Sequence, residues 1–151
     1  MATVTMTGND IHIINGRLLT DLADGDCAAL TFPDDIASVT IGKNGNAIYS
    51  LNESGERAEN VLRVIRGSND DKYLNNLMSQ QKANFAGFVL MTGEFIKKIG
   101  DGTGKVTNDT YLTAGGIFTK RVEAKTNTAG EAEQSISVYT INFANAPRTI
   151  G

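Results

Sequence analysis

Along most of the chain apolar residues alternate with polar ones, and the alternation is broken by Gly, Asn and Asp, which predicts short β-strands joined by tight turns. Val4 and Met6 alternate with Thr3, Thr5 and Thr7, and Ile11, Ile13 and Ile14 run into Asn15-Gly16, a strong hairpin signal. Ala28, Leu30 and Phe32 alternate up to Pro33-Asp34-Asp35, where Pro ends the ladder and Asp favours a turn. Val39-Thr40-Ile41 then turns through Lys43, Asn44, Gly45 and Asn46 into Ala47-Ile48-Tyr49-Ser50-Leu51, a second hairpin. A polar stretch over residues 52–57 leads into Val61-Leu62-Arg63-Val64-Ile65, a β-branched strand.

The period changes from two to 3.6 after Gly67. Ser68 is placed to cap a helix, Asp70 and Asp71 lie in its first turn, and Asp71 occupies the reciprocal capping position. Tyr73, Leu74, Leu77 and Met78 share one face, with Lys72, Asn75, Asn76 and Gln80 opposite. The expectation is one amphipathic helix laid on a sheet with that apolar face as core.

Residues 85–96 are apolar on both parities, with Phe85, Val89, Met91 and Phe95 on one and Ala86, Phe88, Leu90 and Ile96 on the other. Such a pattern predicts a strand buried on both faces at the centre of the domain. Gly100-Asp101-Gly102-Thr103-Gly104 turns the chain into a long strand through Tyr111, Leu112, Ile117, Phe118 and Val122, and a polar loop returns it through residues 136–143. In that last strand the apolar parity switches between Val138 and Tyr139, which predicts a bulge or a change of covering partners.

A chain of 151 residues is the size of one domain, here residues 1–151, and 40% hydrophobic with 21% charged residues is an ordinary globular composition. The net charge is −3 and the basic residues are scattered, so the concentrated Lys and Arg footprint that displaces counterions from phosphates is missing. The single Cys27 allows no intrachain disulfide and reads as a small buried residue. Residues 1–7 carry neither positive charge nor an apolar run, and no window approaches a membrane span, so synthesis in a reducing cytosol is expected.

Candidate chemistry changes this picture little. His12, the one histidine, has no acid or nucleophile at a meaningful spacing and reads as structural. The segment ending in Gly104-Lys105 fails the P-loop pattern, because Ile99 stands where its first Gly belongs and Val106 follows the lysine. Asp21, Asp24 and Asp26 surround Gly25, but position twelve counted from Asp21 is Phe32, so an acidic turn is expected instead of a calcium loop. The sequon matches at Asn52 and Asn108 mean nothing without a secretory route. No catalytic, cofactor or metal constellation stands out, and the chain reads as a non-enzyme.

Ser54-Gly55 followed by Leu62, then Ser68-Asn69-Asp70-Asp71 followed by Leu74, lie in the order polar element, alternating strand, helix. Residues 52–77 in this arrangement resemble the tail tube proteins of bacteriophages, especially the inner tube subunits of contractile-tailed phages. The sequence of early hairpins, central helix and two long C-terminal strands is similar over nearly the whole chain. The resemblance implies a mainly β fold with one α-helix, an antiparallel β-sandwich or barrel with the helix packed on the sheet. It implies hexameric rings stacked into a hollow conduit for DNA, with no cofactor. The partners would be further copies of the chain, with sheath, tape measure, baseplate or tail-terminator proteins, and DNA only in transit. The subunit would reside in the virion tail after synthesis in the bacterial host cytoplasm.

Within that reading the loops at strand ends are expected to meet neighbouring subunits or rings: Lys43, Asn44, Gly45 and Asn46, and Asn52, Glu53, Ser54, Gly55, Glu56 and Arg57. Asp109, Glu131 and Glu133 are the candidates for an acidic lumen wall, since a basic wall would hold DNA instead of conducting it. Two other classes stay open: an injection tube of bacteriocin or secretion-system type, and a small-ligand β-barrel module, which needs a concave pocket with converging polar groups.

Overall fold

The computed structural model describes residues 3–7, 10–126, 129 and 132–151. The strands are β1 (Thr5–Met6), β2 (Ile11–Ile14), β3 (Arg17–Leu18), β4 (Ala28–Thr31), β5 (Ala37–Ile41), β6 (Ala47–Leu51) and β7 (Ala58–Ile65). Helix α1 (Asn69–Ala83) follows, then β8 (Met91–Gly100), β9 (Val106–Phe118), β10 (Glu123–Ala124), a 3-10 turn (Ala132–Ser135), β11 (Ile136–Phe143) and β12 (Arg148–Ile150). The fold is mainly antiparallel β with a single helix among the described residues.

Ten strands form one sheet whose main path runs β3-β2-β8-β9-β11-β7-β4. β1 and β2 lie in tandem along β8, with Met6 opposite Ile99 and Ile11 opposite Ile96. The long β9 belongs to both halves of the sheet: its first part pairs with β8 and β12, and its end joins β11 through Phe118 and Ile141. The two halves face each other, and the core of Leu62, Val64, Tyr139, Ile141 and Phe143 from one half meets Ile14, Met91 and Phe95 from the other. Among the described residues the strands do not close into a barrel, so the barrel alternative of the sequence reading is not realised within one subunit.

The turn signals hold. Asn15 and Gly16 adopt φ of 51° and 78°, the two left-handed positions of a hairpin turn between β2 and β3, and the Asn15 side chain accepts the Thr92 N–H at 3.0 Å. The Asp101 carboxylate accepts the Thr103 N–H at 2.8 Å and its hydroxyl at 2.6 Å, so the glycine-rich segment is the β8–β9 hairpin loop. Ser68 caps α1 by accepting the Asp71 N–H at 3.2 Å, and Asp71 accepts the Gly67 N–H at 2.8 Å. Leu74 and Leu77 are buried, and Tyr73 and Met78 pack against the same core.

Three expectations fail. Residues 84–90 are not strand: the Asn84 side chain accepts the Gly87 N–H at 3.1 Å, which folds the segment into a turn and leaves Phe85, Val89 and Leu90 exposed. Apolar residues on both parities therefore do not mark a doubly buried strand here; only β8, from Met91 onward, is central. The long strand stops at Phe118, short of Val122; the Thr119 N–H still bonds the Thr140 carbonyl, and residues 119–122 are not strand. Cys27 is half-buried rather than buried.

The buried face of β11 does not switch and there is no bulge in its pairing with β7: Ser137, Tyr139, Ile141 and Phe143 are buried on one parity throughout, and Ile136 and Val138 lie half-buried on the other. That pairing is continuous over residues 136–143, while on the other side of the strand β10 covers Ser137 and Val138 and β9 covers Ile141 and Asn142. The register shift in the sheet falls instead between β8 and β9, at Met91 and Gly93.

Candidate functional site

Strands β5 and β6 form a two-stranded sheet of their own that pairs with no other strand among the described residues. Their register places Ala37 opposite Leu51, Val39 opposite Tyr49 and Ile41 opposite Ala47, so these six residues share one face. Ser38, Ser50, Thr40 and Ile48 share the other. The hairpin is therefore amphipathic, as a strand pair with one covered face should be. Yet Val39, Ile41, Tyr49 and Leu51 on the apolar face are 58–77% exposed. An isolated two-stranded hairpin is marginal in water, and three or more strands or a packing surface are needed for stability.

The base of this arm is tightly built. The Asn52 N–H donates to the Ile36 carbonyl at 2.9 Å, and the Asn52 side-chain amide donates to the Asp35 carbonyl at 2.8 Å. Asn52 also accepts the Ser54 hydroxyl at 2.8 Å, and Arg57 pairs with Asp34 at 3.2 Å. Gly55 is buried there, and any Cβ would run into the Asp35 carbonyl. Residues 52–57 thus clamp the outgoing end of the arm to its incoming end at residues 34–36. Lys43, Asn44, Gly45 and Asn46 form its exposed tip, with Gly45 at φ 81°.

Two of the lumen candidates lie on different elements. Asp109 lies on β9, where its carboxylate takes both Arg148 nitrogens of a fork at 2.7 and 2.8 Å. Hydrogen bonding from Arg148, more than its charge, holds the Asp109 carboxyl below the usual range, against a smaller burial effect. Glu133 falls in the 3-10 turn, and Glu131 lies outside the described residues.

Sequence reasoning missed a cavity of about 370 Å³ between the halves of the sheet. Its lining includes Asp10, His12, Asn60, Phe95, Lys97 and Tyr111. Lys97 pairs with Asp10 at 2.7 Å, and His12 lies against the Phe95 ring with centroids 5.6 Å apart. Burial pushes the His12 imidazole below its ordinary value; Asp10 opposes that shift and Lys97 adds to it. Asn60, only 1% exposed on the inner face of β7, has both side-chain amide atoms without a partner among the described residues, as have His12 Nδ1 and Asp10 Oδ1. An Asn in an otherwise apolar strand parity, Ala58, Asn60, Leu62, Val64, is the signal that could have pointed to it.

Among the described residues no group of three or more His, Cys, Asp or Glu side chains could hold a metal, and no helix is long and apolar enough to cross a membrane. No known family model matches the chain, and no curated protein matches it either.

Proposed function

We propose that this chain is a self-assembling structural subunit, the tube protein of a phage tail, whose rings stack into a conduit for DNA. The observation that carries self-assembly is the β5–β6 hairpin, an amphipathic strand pair whose apolar face is exposed, with no cover among the described residues. Monomeric proteins rarely leave such contiguous apolar surface exposed, and a neighbouring copy would supply the missing cover. The outer strands of the main sheet, β3 and β4, also leave edges that association would satisfy. The tube itself, its hexameric ring and its place in a phage tail rest on the resemblance of residues 52–77. An injection tube of bacteriocin or secretion-system type would use the same features.

The test is sedimentation velocity of the wild type beside Tyr49→Ser/Leu51→Ser, which removes the apolar face without touching the core. Large particles for the wild type and a monomer with unchanged circular dichroism for the variant support the reading. A wild type that stays monomeric at every concentration removes it.

The inter-sheet cavity favours a second reading, a small-ligand module. Its paired charges, neutral imidazole and unpartnered Asn60 amide suit a small uncharged molecule bearing both a donor and an acceptor. This reading leaves the uncovered hairpin unexplained, so it stands second.

A further inference from the structure

Resting on the self-assembly reading, we infer that the apolar face of the β5–β6 hairpin of one copy docks on the turn after α1 of the next copy. The receiving surface is the segment holding Phe85, Val89 and Leu90, which are 53–82% exposed. A turn of this kind has no need of large apolar side chains for its own conformation, since the Asn84 side chain and Gly87 close it. Beside it runs an open groove of about 440 Å³ whose lining includes the apolar Leu77, Ala83, Phe88 and Val89 and the polar Gln80 and Asn84. That is room for one aromatic side chain with a hydroxyl at its tip, and Tyr49 is the most exposed large residue of the hairpin face.

Both surfaces are almost free of charge. From residue 36 to residue 52 the only charge is Lys43 at the arm tip, and from residue 83 to residue 93 there is none. Docking them leaves no charged group to desolvate at the centre, with Lys82 and Glu94 flanking the receiving segment. Covering the four hairpin residues and the three of the turn removes roughly 600 Å² of apolar surface from water. That is enough for the apolar centre of an interface of about 1,200–2,000 Å² in total.

The two patches are different surfaces of one chain, so the contact is head-to-tail. Such a contact repeats without limit, closing into a ring where the rotation permits and growing into a filament otherwise. A hairpin that paired with its own counterpart would stop at a dimer.

The test uses a Cys27→Ser parent carrying Tyr49→Cys and Val89→Cys in the same chain, oxidised mildly after assembly. A ladder of covalent multimers is expected on a denaturing gel, with at most dimers from either single cysteine. Assembled particles that yield only monomers and dimers would overturn the pairing while leaving self-assembly intact. A Cys27→Ser parent that never assembles would overturn the underlying reading as well. Because Tyr49→Cys trims an anchor, a charge pair provides a second measurement. Val89→Glu alone should abolish particles with unchanged circular dichroism, and Val39→Lys/Val89→Glu should restore them. Val89→Glu particles formed as readily as wild type would also overturn the pairing.

Discussion

The Arg17 guanidinium lies 3.1 Å from the Asp70 carboxylate and ties the β2–β3 hairpin to the first turn of α1 across 53 residues. Asp70 is fully buried, and its other oxygen accepts the N–H groups of Thr20 and Asp21 at 2.7 Å each. Asp70→Ala would leave those donors unpaired and should cost about 3–5 kcal/mol in urea unfolding, against about 1–3 kcal/mol for Asp70→Asn. Arg17 is partly exposed and two N–H donors still hold the carboxylate in its absence, so Arg17→Ala should cost less, about 1–3 kcal/mol. Equal losses for Asp70→Ala and Arg17→Ala would mean that the carboxylate works only through the ion pair.

The buried helix face gives a second expectation. Leu77 and Leu74 enter the core beneath the sheet, so Leu77→Asp places an unpaired charge there and forfeits packing. The loss should be at least about 3–5 kcal/mol, with insoluble protein as the readout. A soluble, normally assembling Leu77→Asp protein would show that α1 is not seated on the sheet.

The contrast between these two sites shows what the sequence made legible. Leu74 and Leu77 follow from periodicity, and Ser68 and Asp71 from capping chemistry, because both are local relations. The sequence marks Asp70 only as a first-turn acid, since its partners Arg17, Thr20 and Asp21 lie about fifty residues away and no spacing encodes them. Asn60 was hidden for the same reason: the opposite wall of its cavity comes from β2, β8 and β9. The segment with Phe85, Val89 and Leu90 misled in the other direction, since an apolar run signals burial somewhere without saying in which chain.

His12 supplies a pH prediction. Its folded pKa is depressed by burial, so the unfolded chain takes up the proton first as pH falls. The stability His12 contributes is present above about pH 6.5, the unfolded value, and is lost as pH drops toward the folded value. Proton NMR of the single imidazole should show a midpoint below 6.5, and His12→Asn should flatten the loss of stability between pH 7 and pH 5. A midpoint at or above 6.5 would contradict the buried placement against Phe95.

DNA should pass without being held. The net charge is −3 in each subunit, and Arg17, Arg57, Lys97 and Arg148 are already matched by Asp70, Asp34, Asp10 and Asp109. The other ten Lys and Arg are scattered along the chain, so the concentrated basic footprint that releases counterions from phosphates is missing from the sequence. Filter binding with double-stranded DNA at low salt should show no submicromolar affinity. Tight binding that weakens steeply with salt would exclude a conduit.

Negative-stain electron microscopy of the purified chain over a range of protein and salt concentrations tests the central claim most directly. Rings or hollow tubes of uniform diameter are expected, lengthening as concentration rises. A monodisperse monomer under every condition, with no rings or tubes in the micrographs, would contradict it.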